Sequence, residues 1–161
     1  MPVTADITAT YRGPGRVIGR LLDAGQREDR ALVILMAFCV LMFIAQMPRL
    51  AREAHLNGTD LNMLMGGALM AWVFIAPLAL YLLAAVSHLV ARLFGAKGSW
   101  YGARLALFWA LLASSPLILL HGLVAGFIGP SPALSLVGAV WLGVFAWFWI
   151  AGLVRAERGD A

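Results

Sequence analysis

Four stretches of this chain, residues 31–47, 61–91, 105–129 and 133–154, contain no Lys, Arg, Asp or Glu. A hydrocarbon core about 30 Å thick takes about 20 apolar residues of helix, and backbone polar groups in lipid have only one another as partners. The chain therefore reads as all-α, a polytopic transmembrane bundle of four spans. Of its 161 residues, 62% are hydrophobic and 12% charged, against about a quarter charged in a soluble domain. That leaves no room for a sizeable aqueous domain. The expected division is a cytoplasmic N-terminal segment at 1–30, a four-span membrane domain at 31–154 and a cytoplasmic tail at 155–161.

The twelve Lys and Arg fix an orientation. Five precede the first stretch, three (Arg92, Lys97 and Arg104) separate the second from the third, and Arg155 and Arg158 follow the fourth. Only Arg49 and Arg52 fall on the other side. Cytoplasmic flanks carry the excess of cations, so both termini are expected inside, in a bacterial inner membrane. An odd number of crossings would break that parity. The net charge of +4 is thus read as flanking charge against a lipid bilayer. A nucleic-acid partner is not expected, since such binders cluster cations on a folded face. The first thirty residues mix Asp6, Asp23, Glu28 and Asp29 with arginines, which excludes a secretory signal.

The first span is short, with Pro48-Arg49 as its boundary, and 48–60 is expected as an outer loop. There Asn57-Gly58 makes a turn, and Thr59 or Asp60 caps the second span. The second is long, with Pro77 near its middle. A kink is expected there, with a re-entrant break as the alternative. Pro116, behind Ser114 and Ser115, is the second kink candidate. Close helix approach in lipid uses small residues. The candidates are the GxxxG pair Gly122 and Gly126, the Ala139 and Gly143 pair, and Gly66 with Gly67. Trp147, Trp149, Trp100 and Tyr101 read as an interfacial aromatic belt.

After Gly13-Pro14-Gly15, helical spacing places Val17, Ile18, Leu21 and Leu22 on one face, with Arg16, Arg20 and Asp23 opposite. A short basic amphipathic helix beside a span is expected to lie flat at the membrane surface. Gly25 would end it. The alternative is a docking face for a cytoplasmic partner.

Chemistry-bearing residues are sparse. His88 and His121 fall at opposite ends of their spans, about 20 Å apart in depth from helical rise, which excludes one metal held by both. Each is expected as a hydrogen-bonded packing residue. Cys39 reads as a small buried apolar side chain. Glu53, His55 and Asp60 lie in the outer segment, which reads as a solvated helical turn. No carboxylate sits in a span, which disfavours a proton relay. The sequence has no P-loop, GxSxG or HExxH, each of which is a site-building pattern. No catalytic, cofactor-binding or metal-ligating residue is expected, and no cofactor.

The run HLVARLFGAKGSWYGAR at 88–104, continuing through LALFWALLASSPLILL at 105–120, and the approach to the first span, AGQREDRAL at 24–32, resemble the bacterial branch of the Yip (Ypt-interacting protein) family. The resemblance implies a multi-spanning, non-enzymatic membrane protein. The family's eukaryotic members are associated with small prenylated GTPases, but this chain's N-terminal segment is shorter and its spans are four rather than five. The expected function is a scaffold, accessory or assembly partner of other membrane proteins or of itself. The alternatives are a small transporter or channel through kinked helices and a lipid-binding or membrane-shaping protein.

Overall fold

The computed structural model describes residues 3–158, and these fold as helices joined by turns with no strand among them. In chain order the helices are α1 (Val3–Thr10), α2 (Pro14–Asp23), α3 (Glu28–Asn57), α4 (Leu61–Leu93), α5 (Trp100–Ala113), α6 (Ser115–Phe127) and α7 (Pro132–Glu157). Local chemistry sets the ends. Asp60 accepts from the Asn62 amide at 3.0 Å, Ser99 from Gly102 at 3.1 Å and Ser131 from Leu134 at 3.3 Å. Each satisfies an N–H that the first turn leaves without a partner. Gly58 stops α3 with φ of 65°, and Gly25 follows α2 with φ of 96°. That left-handed region favours glycine.

Three helices, α3, α4 and α7, are long and apolar enough to cross a membrane, and the bent pair α5–α6 makes a fourth if it is counted as one span. The prolines behave differently from one another. At Pro116 the chain breaks at Ser114 and the two helices diverge by 45°. Ahead of Pro77 the helix widens into a π turn over Met70–Ile75 and then continues. Proline removes a donor and crowds the preceding turn, and one wide turn absorbs both without ending the helix. Pro48 does not bound the first span, as the sequence suggested. It lies inside the 30-residue α3, which runs on to Asn57. The expected outer loop is therefore mostly helix, and the turn is confined to the residues around Gly58.

The contacts sort the helix ends into two groups. At one end Glu28 of α3 pairs with Arg104 of α5, His88 of α4 meets Glu157 of α7 at 2.7 Å, and the Lys97 amide donates to the Glu157 carbonyl at 3.0 Å. At the other end Arg52 of α3 donates to the Gly126 carbonyl of α6 at 3.4 Å. We call the first the basic end.

Helix α5 occupies the centre. Every residue from Tyr101 to Ser115 is buried except the half-buried Arg104. Helices α3, α4 and α7 pack around it, with α1 and α2 also against it. The GxxxG glycines are an internal interface. A Cβ on Gly122 would overlap the Ala45 carbonyl, and one on Gly126 would overlap Pro48. Bare backbone is what lets α6 approach α3 this closely. Gly66, Gly67 and Gly143 have no atom within 4 Å of where a Cβ would stand, and Ala139 is exposed. They take no part in packing within the chain.

Helix α2 forms over the expected residues. Its apolar face, however, is turned inward rather than laid on a membrane surface. Val17 and Ile18 are buried, Leu21 and Leu22 half-buried, and a Cβ on Gly152 of α7 would stand 3.1 Å from Ile18. Helix α1 has no counterpart in the sequence reading. Of the expected aromatic belt, Trp100 and Trp147 are exposed, Trp149 is half-buried against Phe145 and Tyr101 is buried. Cys39 is buried and free, as expected.

The two kinds of glycine lead to different expectations. Gly126→Leu forces α6 off Pro48 and is expected to destabilise by about 2 kcal/mol or more. Gly143→Leu, in open space, is expected to change stability by about 0.5 kcal/mol or less. Thermal melting in mild detergent compares them, and equal melting of the two variants would remove the internal assignment of the GxxxG pair.

Candidate functional site

Among the described residues, the buried side chains that can carry charge, Asp6, His88 and Glu157, lie toward the basic end, while Ser114 and Ser115 are buried at the break in the middle of the bundle. His88 is 1% exposed and stands on α4 one turn before its end, with its ring 4.4 Å from that of Trp100. Its Nδ1 lies 2.7 Å from Glu157 Oε1. Glu157 is 8% exposed and its Oε2 has no hydrogen-bond partner. Gly98 fits against it: a Cβ there would lie 2.7 Å from Oε2 and would overlap the Ala156 carbonyl. The connection from α4 to α5 thus closes over the end of α7, and the histidine–carboxylate pair ties three helices together.

Beside it, Arg30 binds the chain that enters α3. Its Nη2 donates to the carbonyls of Leu21 and Gly25 at 3.2 Å and to the Tyr101 hydroxyl at 3.4 Å. The Leu21 carbonyl belongs to the last turn of α2 and the Gly25 carbonyl lies just beyond it, where a cation is favoured. The same residue that flanks the first span therefore also fixes α2 against α5.

The α1–α2 hairpin is held by two hydrogen bonds to the central helix region. The Trp109 indole donates to Thr10 Oγ1 at 3.0 Å, and the Tyr11 hydroxyl donates to the Ala113 carbonyl at 2.9 Å. Tyr11 also meets Phe148 edge to face, ring centroids 4.9 Å apart. Burial raises the Tyr11 hydroxyl above its usual pKa, which keeps it protonated and donating. The Ala113 carbonyl sits where the break at Ser114 interrupts the helical ladder, so Tyr11 satisfies an acceptor that the bend frees. On the outer side of the hairpin, Arg20 pairs with Asp6 at 2.6 Å. An open groove of about 530 Å³ runs between α1 and α2, lined in part by Arg12, Arg16 and Arg20.

The kink residues do not converge on a shared path. The Ser114 hydroxyl donates to the Leu111 carbonyl at 3.0 Å and accepts from the Trp141 indole at 3.1 Å. His121 is half-buried in the other half of the bundle, beside a small cavity of about 280 Å³ with Gln46 and Trp141. Pro77 lies on the peripheral α4. No three His, Cys, Asp or Glu side chains converge among the described residues. In the outer segment Glu53 pairs with Arg49 at 3.4 Å along the helix, and Asp60 is a cap.

Sequence reasoning did not anticipate Thr10, Tyr11 or Glu157. Val3, Ala5, Ile7 and Ala9 alternate with polar residues, a strand-like period that hides the helix α1. Glu157 reads as a tail residue, because its partner His88 is 69 residues away. No protein-family model, no curated protein and no solved structure matches this chain.

Removing His88 leaves a buried carboxylate with neither oxygen bonded. His88→Leu is expected to cost about 3 kcal/mol or more. The double variant His88→Leu/Glu157→Leu is expected to recover most of that loss, because both polar groups are gone. Chemical or thermal unfolding of the three proteins in detergent decides it, and a double variant no more stable than His88→Leu would show that the pair is not coupled.

Proposed function

We propose that the chain is a non-enzymatic integral membrane protein with four crossings and both ends of the described chain on the cytoplasmic side of a bacterial inner membrane. On this reading it acts as a scaffold or accessory subunit for other membrane proteins or for itself. The charge pattern supports the orientation, and the grouping of helix ends supports the count: the ends that should share a side are the ones that touch.

The observation that carries the scaffold reading is the contrast between used and unused small residues. Gly122 and Gly126 are consumed inside the chain, while Gly66, Gly67 and Gly143 stand open. Their helices present large apolar side chains outward, including Met63, Phe74 and Leu78 of α4 and Leu136 and Val140 of α7. In the most apolar 18-residue window of α4 only 6% is buried within the chain. Open glycines on such faces permit the close helix approach by which membrane helices associate. The polar groups inside the bundle are spent on holding it together, which supports a binding role over a chemical one. The likeness of residues 88–104 to the Yip family points the same way.

Extraction into a mild polymer, followed by native mass measurement, tests the reading. A stoichiometric partner or a defined oligomer is expected. Ala139→Ile/Gly143→Ile or Gly66→Ile/Gly67→Ile should dissociate it on the order of tenfold more readily, since a bulky side chain holds the helices apart, while monomer melting stays unchanged. A wild-type protein that is monomeric and free of partners at every concentration would remove the scaffold reading.

A further inference from the structure

Arg16 and Arg20 lie four residues apart on one side of α2, and Arg12, in the turn that precedes it, lines the same groove. Together with Thr8, Ala9 and Gly13 they line the 530 Å³ groove. Asp6 engages Arg20 at 2.6 Å. Among the described residues, neither Arg12 nor Arg16 has a carboxylate partner. The Arg16 guanidinium folds back over the turn, its Cζ and Nε each 3.9 Å from where a Gly13 Cβ would stand. The groove is thus a concave surface with two free guanidinium groups and a bare backbone between them.

Its position makes that charge consequential. The opposite face of α2 is fixed to α7, with Gly15 facing the Ala151 carbonyl and Ile18 facing Gly152. Tyr11, next to Arg12, packs edge-on against Phe148. Phe148 precedes Arg155 by seven residues, so the turn lies about 10 Å along the helix axis inside the last charges of α7. Arg12 and Arg16 therefore start one to two turns below the level where that span regains charge. A guanidinium at that depth is costly unless it reaches the headgroup layer or meets an anion. The nearby Asp6 is already committed to Arg20.

We propose that Arg12 and Arg16 hold the phosphate of an anionic phospholipid, with its headgroup seated in the α1–α2 groove. Two guanidinium forks match the oxygens of a phosphate. A zwitterionic headgroup brings a cation that a second arginine repels, so the site selects lipids of net negative charge. The proposal does not depend on the scaffold reading, since lipid retention and partner retention are read separately.

The full chain, reconstituted into nanodiscs of equal phosphatidylglycerol and phosphatidylcholine and released into gentle detergent, is assayed by native mass spectrometry for retained lipid. Phosphatidylglycerol is expected to be retained preferentially. Arg12→Gln/Arg16→Gln should lower that retention on the order of tenfold. Arg27→Gln/Arg92→Gln, which removes two exposed cations of the same end outside the groove, should leave it unchanged. Both groove side chains are exposed, so melting should not move. Should the double variant fail to fold, the single variants Arg12→Gln and Arg16→Gln carry the same reading, each expected to lose about threefold to fivefold. Equal retention of the two lipids, an undiminished preference in the groove variant, or an equal loss in the control variant would overturn the proposal. So would displacement of the lipid by millimolar inorganic phosphate, which would make the ligand a soluble phosphate.

Discussion

Fifteen consecutive residues, Tyr101 to Ser115, pass through the middle of this protein with only Arg104 reaching the surface. A helix that is apolar on all sides needs protein or lipid on all sides, and here the cover is protein. Three long helices cannot enclose it completely, and the N-terminal hairpin fills part of the gap: Thr10, Tyr11, Val17 and Ile18 lie against α5 and α7. The remaining features follow from this enclosure. Glycines at 122 and 126 let the outer half of the broken helix close on α3. The bend at Ser114 redirects the chain, and Tyr11 and Trp141 take up polar atoms around it. His88, Glu157 and Arg30 tie down the other end.

The long apolar runs made the helical class and the membrane-spanning lengths readable from sequence alone. A segment that excludes charge over about twenty residues is built to have lipid or protein on every side. The cap at Asp60, one of the two the sequence offered, is local chemistry of the same readable kind. The failures share a different cause. Pro48 looked like a boundary because proline usually ends a helix and a charged segment follows it. Helix α3 nevertheless continues, since packing against Gly126 holds the chain helical there. The face of Val17 and Ile18 was recognisable as apolar, but periodicity does not say what an apolar face packs against. Lipid surface and neighbouring helix are equivalent solvents for it until the third dimension is known.

The same limit separates the small-residue pairs. Gly122 with Gly126 and Ala139 with Gly143 have identical spacing, and one is internal while the other is open. Spacing defines a face that can approach a helix closely; which helix meets it depends on the whole arrangement. Tyr101 offers a parallel case. Beside Trp100 it reads as an interfacial aromatic, yet one residue of helix is a rotation of about 100°, which takes its ring from the exterior into the core, where Arg30 meets its hydroxyl.

Pairing also reshapes the charge asymmetry. At the basic end four carboxylates are engaged one by one: Asp6 with Arg20, Glu28 with Arg104, Asp29 with Arg27 and Glu157 with His88. The excess of cations survives the pairing. At the other end Glu53 pairs with Arg49, and Arg52 is drawn onto the Gly126 carbonyl. Orientation in a membrane depends on Lys and Arg near the span ends, with acidic residues contributing little, so pairing does not erase the signal. What it does decide is which cations remain for outside anions. In the proposed orientation the unengaged guanidinium groups of the N-terminal hairpin are set back along α7, toward the apolar layer and away from bulk water. The enclosure of α5 is what put them there, because the hairpin that covers the central helix is also the one that carries the arginines.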